Sequence, residues 1–135
     1  MKLDRELIGF VNVFESMTGA RVKDVFFGKD EELVFVVAEG DMGKAIGKMG
    51  VNIRRLSGML KKRIKVIEYS SNLIEFLKSA IDPIKADGFE DVGDAIKILI
   101  KDTSLKARLI GRNRRNINEI SNLVERYFKK KVVAG

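Results

Sequence analysis

A glycine-edged turn leading into an amphipathic segment occurs twice in this chain, 64 residues apart, and that repetition restricts the fold more than any other feature. The first copy reads Ile46-Gly47-Lys48-Met49-Gly50 and continues through Ile53 and Leu56. Adding 64 to Gly47, Gly50, Ile53 and Leu56 gives Gly111, Arg114, Ile117 and Ile120. The repeat predicts two copies of one small unit, residues 1–70 and 71–135, rather than one ordinary domain. A unit of ~60 residues buries only about 60% of its unfolded surface, so the halves are expected to pack on each other. Tyr69, Ser70 and Ser71 separate them, too short a stretch for a flexible linker.

Periodicity fills in each unit. Leu3, Leu7, Phe10, Phe14 and Met17 fall at helical steps, with Asp4 and Glu6 in the first turn and Gly19 as a stop. Arg21 to Phe27 and the apolar run Leu33 to Ala38 read as a hairpin closed by Gly28-Lys29-Asp30. A short helix over Met42 to Ile46 enters the glycine turn, and a second runs from Val51 to Lys61 with Ile53, Leu56 and Leu60 inward. Arg63 to Glu68 alternates as a half-exposed strand.

The second half repeats that order. Leu73 to Ile81 is a helix, with Asn72 and Glu75 at capping-box spacing, and Pro83 follows it. Ile84 to Ala86 is expected as a short strand and Asp87-Gly88 as the turn after it. Ala95 to Ile100 is a strand, Leu105 to Ile110 the short helix, Arg115 to Phe128 the long one, and Lys131 to Ala134 the last strand. The fold class is therefore α+β, helix-strand-strand-helix-helix-strand in each half, each sheet three-stranded with helices on one face.

Composition removes several kinds of chemistry. The chain has no Cys and no His, so disulfides, zinc-finger sites and Cys or His nucleophile–base pairs are excluded. Paired-carboxylate hydrolysis is left formally open, but the acidic residues are scattered. No apolar run approaches the ~18 residues of a membrane span, and no signal-peptide pattern opens the chain. Neither a cofactor, a metal nor a membrane partner is expected, and the cytoplasm is the expected location. The net charge of +7 fits a nucleic-acid partner.

Glycine has no Cβ to keep a phosphate backbone away from the main chain, and a helix start offers N–H groups and a positive dipole end to an anion. A nucleotide-hydrolase phosphate loop needs G-x-x-x-x-G-K-[ST]. Gly43 to Gly47 is one residue short of it, and Met49 stands where Ser or Thr would bind magnesium. A purely structural reading, with both loops as plain turns and solvated charges, is the other rival.

The run I-G-K-M-G-V-N-I-R-R-L over residues 46–56 resembles the signature of a KH domain. In that family a G-x-x-G loop and its flanking helices clamp about four single-stranded nucleotides. A helix ahead of two strands, with the last strand after the second helix of the loop, resembles type II. Two such modules in tandem resemble the archaeal form of the NusA family of transcription factors; bacterial members carry further domains, for which these 135 residues leave no room. The resemblance implies binding of nascent single-stranded RNA in transcription termination and antitermination, with RNA polymerase as partner and no enzymatic reaction. A KH protein of ribosome assembly or of the ribosome is the alternative, separable by whether polymerase or ribosomal subunits co-purify.

The resemblance also assigns roles. Gly47 and Gly50 would admit the sugar-phosphate backbone, and Lys48 would reach a phosphate as a point charge. Met49 would touch a sugar or fill space. Lys44, Arg54 and Arg55 would line the groove, and Ile46, Ile53 and Ile64 would form its apolar floor or simply belong to the core. The second copy, Gly111-Arg112-Asn113-Arg114, has a cation in place of the second glycine. Arg114 is strained if that position needs a positive φ. Lys106, Arg108, Arg112, Arg114 and Arg115 lie within ten residues without an acid among them. The loop is either a folding remnant or a site that binds phosphate through charge, and that density favours charge.

Overall fold

In the computed structural model, which describes residues 4–135, the first helix begins where the Asp4 carboxylate accepts the Leu7 N–H at 2.8 Å. That helix, α1 (Arg5–Thr18), ends at Gly19, whose φ of 75° is the left-handed stop that glycine takes without strain. Leu3, expected as its first apolar position, lies outside the described residues. Leu7 and Phe14 are buried, and Phe14 stacks on Phe35 with ring centroids 4.1 Å apart.

The chain divides into two units, Met1–Ser70 and Ser71–Gly135. In the first, β1 (Val22–Phe27) pairs antiparallel with β2 (Leu33–Val37), which pairs in parallel with β3 (Ile64–Glu68). A parallel pair requires a crossover, and here it consists of α2 (Met42–Ile46), a 3-10 turn over Lys48–Gly50, and α3 (Val51–Leu60). The glycine turn is therefore suspended between two helices that both anchor to the sheet. Leu33, Phe35 and Val37 alternate onto one face of β2 and form a core with Leu7, Phe14, Ala45 and Leu56. Of the α3 residues expected inward, Leu56 is buried, while Ile53 and Leu60 are half-buried against that core.

The second unit has the same order. It runs α4 (Leu73–Ile81), β4 (Gly88–Asp91), β5 (Ala95–Leu99), α5 (Thr103–Ile110), a 3-10 turn over Arg112–Arg114, α6 (Arg115–Phe128) and β6 (Lys131–Ala134). Again the middle strand is antiparallel to one neighbour and parallel to the other. The Asn72 side chain accepts the Glu75 N–H at 3.1 Å and starts α4 as its spacing predicts. Ile117, Ile120 and Val124 of α6 are buried, and Phe76 of α4 meets Tyr127 and Phe128 at 5.7 and 5.5 Å between centroids.

One expected element is misplaced. Ile84 to Ala86 is not a strand, and Asp87-Gly88 is not the turn after it; Gly88 instead opens β4. The Asp87 N–H donates to the Leu99 carbonyl and its carboxylate accepts the Lys101 N–H, both at 2.7 Å, so Asp87 starts the ladder with β5. The turn falls at Val92-Gly93-Asp94, where Gly93 has a φ of 96° and donates to Asp91 at 2.9 Å. A hydrogen bond from Lys130, with that from Gly93, holds the Asp91 carboxyl below the usual carboxylate range. The partner strand has overridden the poor strand propensity of Gly-Phe-Glu-Asp.

Among the described residues no helix is long and apolar enough to cross a membrane, and no cluster of His, Cys, Asp or Glu could hold a metal.

Gly58 lies inside α3 with an ordinary helical φ, and a Cβ there would meet nothing within 4 Å. Gly58→Ala is expected to raise stability by about 0.5–1 kcal/mol, because it removes unfolded-state freedom at no steric cost. Urea unfolding followed by circular dichroism should show a higher midpoint with an unchanged slope.

Candidate nucleic-acid interface

The two glycine turns have the same backbone. Gly47 has φ 77° and ψ 169°, and Gly111 has those same angles. This region is essentially reserved for glycine. The third loop residue is left-handed in both, Met49 at φ 55° and Asn113 at φ 55°. Gly50 follows at φ 75° and Arg114 at φ 61°. The fourth position does require a positive φ, and Arg114 accepts the strain that Gly50 avoids, on the order of 1–2 kcal/mol.

What fixes the turn is an asparagine to which hydrophobic periodicity assigns no role. Asn52 donates from Nδ2 to the Lys44 carbonyl at 2.8 Å, and Asn116 from Nδ2 to the Leu109 carbonyl at 2.9 Å. Each side chain crosses from the start of one helix to the helix before the loop. A Cβ on Gly47 would lie 2.8 Å from Asn52 Cγ, and one on Gly111 2.9 Å from Asn116 Cβ. The glycine is thus required by the asparagine beneath it as well as by its dihedrals. The signal was present: Asn-Ile at 52–53 recurs at 116–117.

The main-chain donors are distributed unequally around the loop. The Gly47 N–H bonds to Gly43 at 2.9 Å and the Gly50 N–H to Gly47 at 3.1 Å. Gly111 and Arg114 repeat both bonds, to Ala107 and Gly111. The two N–H groups between, those of Lys48 and Met49 or of Arg112 and Asn113, have no hydrogen bond among the described residues. An anion approaching either loop would meet these two amides first.

The cations surround the loops differently. In the first, Lys48 and Arg55 are exposed and Met49 is 85% exposed. Lys44 faces Asp41 at 3.9 Å, and the Arg54 guanidinium donates to the Met49 carbonyl, bracing the loop from behind. In the second, Arg108, Arg112, Arg114 and Arg115 are exposed, and none of them, nor half-buried Lys106, has an acidic partner among the described residues.

Beside the first loop lies an open groove of about 600 Å³ lined by Glu32, Ile53, Arg54, Ser57, Arg63 and Ile64. It brings together three of the expected groove residues, Ile53, Ile64 and Arg54. Ile46 is not in its wall; it packs half-buried against the core. Lys44, Lys48 and Arg55 do not line it either. Glu32, Ser57 and Arg63 were not anticipated, since they carry no apolar signal for periodicity to detect. A second cavity, of about 340 Å³, is lined by Lys78, Ile81, Asp82, Ile84, Lys85, Ala86 and Phe89, and includes no residue of the second loop.

Gly47→Ala is expected to cost about 1–3 kcal/mol, since the new side chain enters a glycine-only region against Asn52. Thermal or urea unfolding measures it, and an unchanged midpoint would mean that the loop adopts another conformation.

Comparison with known proteins adds three findings. The family model for the NusA-like second KH domain matches residues 11–74, most of the first unit and the first residues of the second. Proteins named "Probable transcription termination protein NusA" from Methanococcus vannielii and Methanocaldococcus jannaschii are 38% and 28% identical. The first alignment covers all of this chain and 81% of the relative, the second 96% and 72%. A solved structure titled "Crystal structure of APE1850" superposes with a TM-score of 0.71 at 26% identity, over 98% of this chain and 99% of that one. By this relatedness the chain belongs to the archaeal NusA-like family of transcription termination proteins.

Proposed function

We propose that both units are type II KH modules and that the chain binds nascent single-stranded RNA as a termination and antitermination factor. The supporting observation is the doubled loop. Two unbonded N–H groups stand between residues that keep side chains out of the way, with cations around them. In this reading the Lys48 and Met49 amides meet one phosphate, Gly47 and Gly50 let the sugar-phosphate strand approach, and Lys48 adds its charge. Arg54 positions the loop through the Met49 carbonyl. Lys44 and Arg55 contribute charge alone. Bases lie over Ile53 and Ile64 in the groove, and Ile46 serves the core.

The second loop keeps the amide arrangement at Arg112 and Asn113 but has Arg114 where close approach would occur. Its grip comes from Gly111, Asn113 and the unpaired cations Arg108, Arg112, Arg114 and Arg115. Linking two weak sites makes the second contact intramolecular, at an effective concentration of order millimolar. The target is therefore an unpaired strand of roughly eight nucleotides or more, since single-strand modules read splayed-out bases. The role is binding in the cytoplasm, without catalysis or cofactor, and RNA polymerase is the protein partner.

Gly50→Leu removes the clearance at the first loop without changing charge and is expected to weaken binding roughly tenfold at low and high salt alike. Replacing Arg112 and Arg114 by Ala should instead flatten the log–log salt dependence, by about 0.7 for each phosphate left unneutralised on a single strand. Titrating an unstructured octamer at two or more salt concentrations separates the two effects, and an unchanged slope removes the second loop from the site. Affinity purification from cell extract should recover RNA polymerase subunits; recovery of ribosomal subunits instead would transfer the role to ribosome assembly.

A further inference from the structure

The cavity of about 340 Å³ in the second unit lies where the two copies stop matching. Between α1, ending at Thr18, and β1, starting at Val22, the connection is residues 19–21. Between α4, ending at Ile81, and β4, starting at Gly88, it is the longer stretch 82–87. That stretch, part of which reads as a strand in the sequence, supplies Asp82, Ile84 and Lys85 to the cavity wall. Lys78 and Ile81 come from the last turn of α4, and Phe89 from β4, held opposite Ile98 of β5. The volume falls within the ~300–1,000 Å³ typical of small-molecule sites. No residue of either glycine loop lines it.

The walls divide by chemistry. Ile81 is buried, Ile84 and Phe89 are half-buried, and Phe89 has no ring partner among the described residues. An unstacked ring in an apolar wall suits a planar aromatic group. Lys85 is exposed without an acidic partner among the described residues, and Lys78 has an exposed contact with Glu75 at 3.4 Å. Both ammoniums are open to an anion. The Asp82 carboxylate also has no hydrogen bond or ion pair among the described residues. It stands at the C-terminal end of α4, where the helix dipole is negative. That side therefore takes hydrogen-bond donors and repels a phosphate. A ribonucleotide with free 2′- and 3′-hydroxyls offers all three groups: a planar ring, a phosphate and two neighbouring donors. Carboxylates accept ribose hydroxyls in dinucleotide sites. A di- or tricarboxylate metabolite would set a second anion against Asp82 and has no ring for Phe89.

We propose that this cavity is a mononucleotide site, with the base on Phe89 and Ile84, the phosphate at Lys78 and Lys85, and the ribose diol on Asp82. A free nucleotide and the 3′-terminal nucleotide of an RNA share that chemistry, whereas internal nucleotides lack the second free hydroxyl. The site goes beyond strand binding by the loops, because it tells a chain end or a free nucleotide from the middle of a transcript.

The test is an NMR titration of the isotope-labelled 135-residue chain with adenosine 5′-monophosphate, its 2′,3′-dideoxy analogue and two octaadenylates, one ending in a free diol and one in a 3′-phosphate. The monophosphate should shift the Ile84, Lys85 and Phe89 amides saturably, and the dideoxy analogue should bind about tenfold more weakly. Asp82→Ala should abolish that difference, and Lys85→Ala should weaken both mononucleotides alike. Both positions are exposed, so neither variant threatens the fold. Shifts at the three amides from the diol-ended octamer, absent with the 3′-phosphate, assign the ligand to RNA ends; shifts from the monophosphate alone assign it to free nucleotide. No saturable shift there from any of these ligands overturns the proposal, as do equal affinities for the two mononucleotides or shifts there from both octamers. Tighter binding by Asp82→Ala also overturns it, since that carboxylate is then a merely repelling charge. Octamer shifts confined to Lys48, Met49, Arg112 and Asn113, with none from the monophosphate, leave the RNA-binding reading standing and remove this inference alone.

Discussion

The backbone of Gly47, at φ 77° and ψ 169°, is the constraint on which the loop and its surroundings depend. No side chain enters that region cheaply, so the position excludes every other residue before any ligand is considered. The conformation turns the chain from α2 into the 3-10 turn, uses the Gly47 and Gly50 N–H groups internally, and leaves the two amides between them unbonded. Asn52 makes the arrangement rigid, since its Nδ2 donates to Lys44 across the gap and its Cγ fills the space a Cβ would need. The loop is pre-organised, so little further ordering of the main chain is needed when a ligand arrives.

The second loop shows which parts of that arrangement are separable. Gly111 retains the dihedrals and Asn116 retains the clamp, now 8% exposed. Of the two glycines, Gly50 has been exchanged, for Arg114, which adopts a left-handed φ of 61° at a modest cost. The exchange gives up clearance for the ligand and gains charge. Unpartnered Arg108, Arg112, Arg114 and Arg115 around it have the character of a diffuse anion-attracting surface. In the first loop, by contrast, Arg54 is used on the Met49 carbonyl and Lys44 faces Asp41. In the proposed reading one loop serves contact and the other field.

The sequence revealed what was repeated and periodic. The helices flanking both turns, the fully apolar β2 and the stop at Gly19 follow from spacing and glycine chemistry. Ile84 to Ala86 misled because a short stretch with apolar ends before Asp-Gly looks like a strand and its turn. The strand position is decided instead by where Asp87 meets Leu99 and Lys101, a long-range pairing invisible to local propensity. Asn52 and Asn116 were legible in the repeat, but their importance appears only when the missing Cβ of each glycine is placed in space. As lining residues Glu32 and Arg63 were not legible: Glu32 carries no apolar signal, Arg63 read only as the start of an alternating strand that begins one residue later, and their adjacency is created by the parallel register of β2 and β3.

That adjacency bears on a general difficulty for basic RNA-binding chains. Cations and main-chain amides bind any ribose-phosphate strand, and their contribution falls with salt for every sequence alike. Raising affinity by adding more of them raises the competitors equally. Specificity is a difference between affinities and is gained by placing groups that penalise the wrong partner. Glu32, which has no ion partner among the described residues, opposes any polyanion that enters the groove beside the first loop. In the proposed reading, the charge-rich second loop supplies attraction that does not depend on sequence. On that reading the divergence of the two loops separates close contact, kept by the glycine pair of the first, from charge, concentrated around the second.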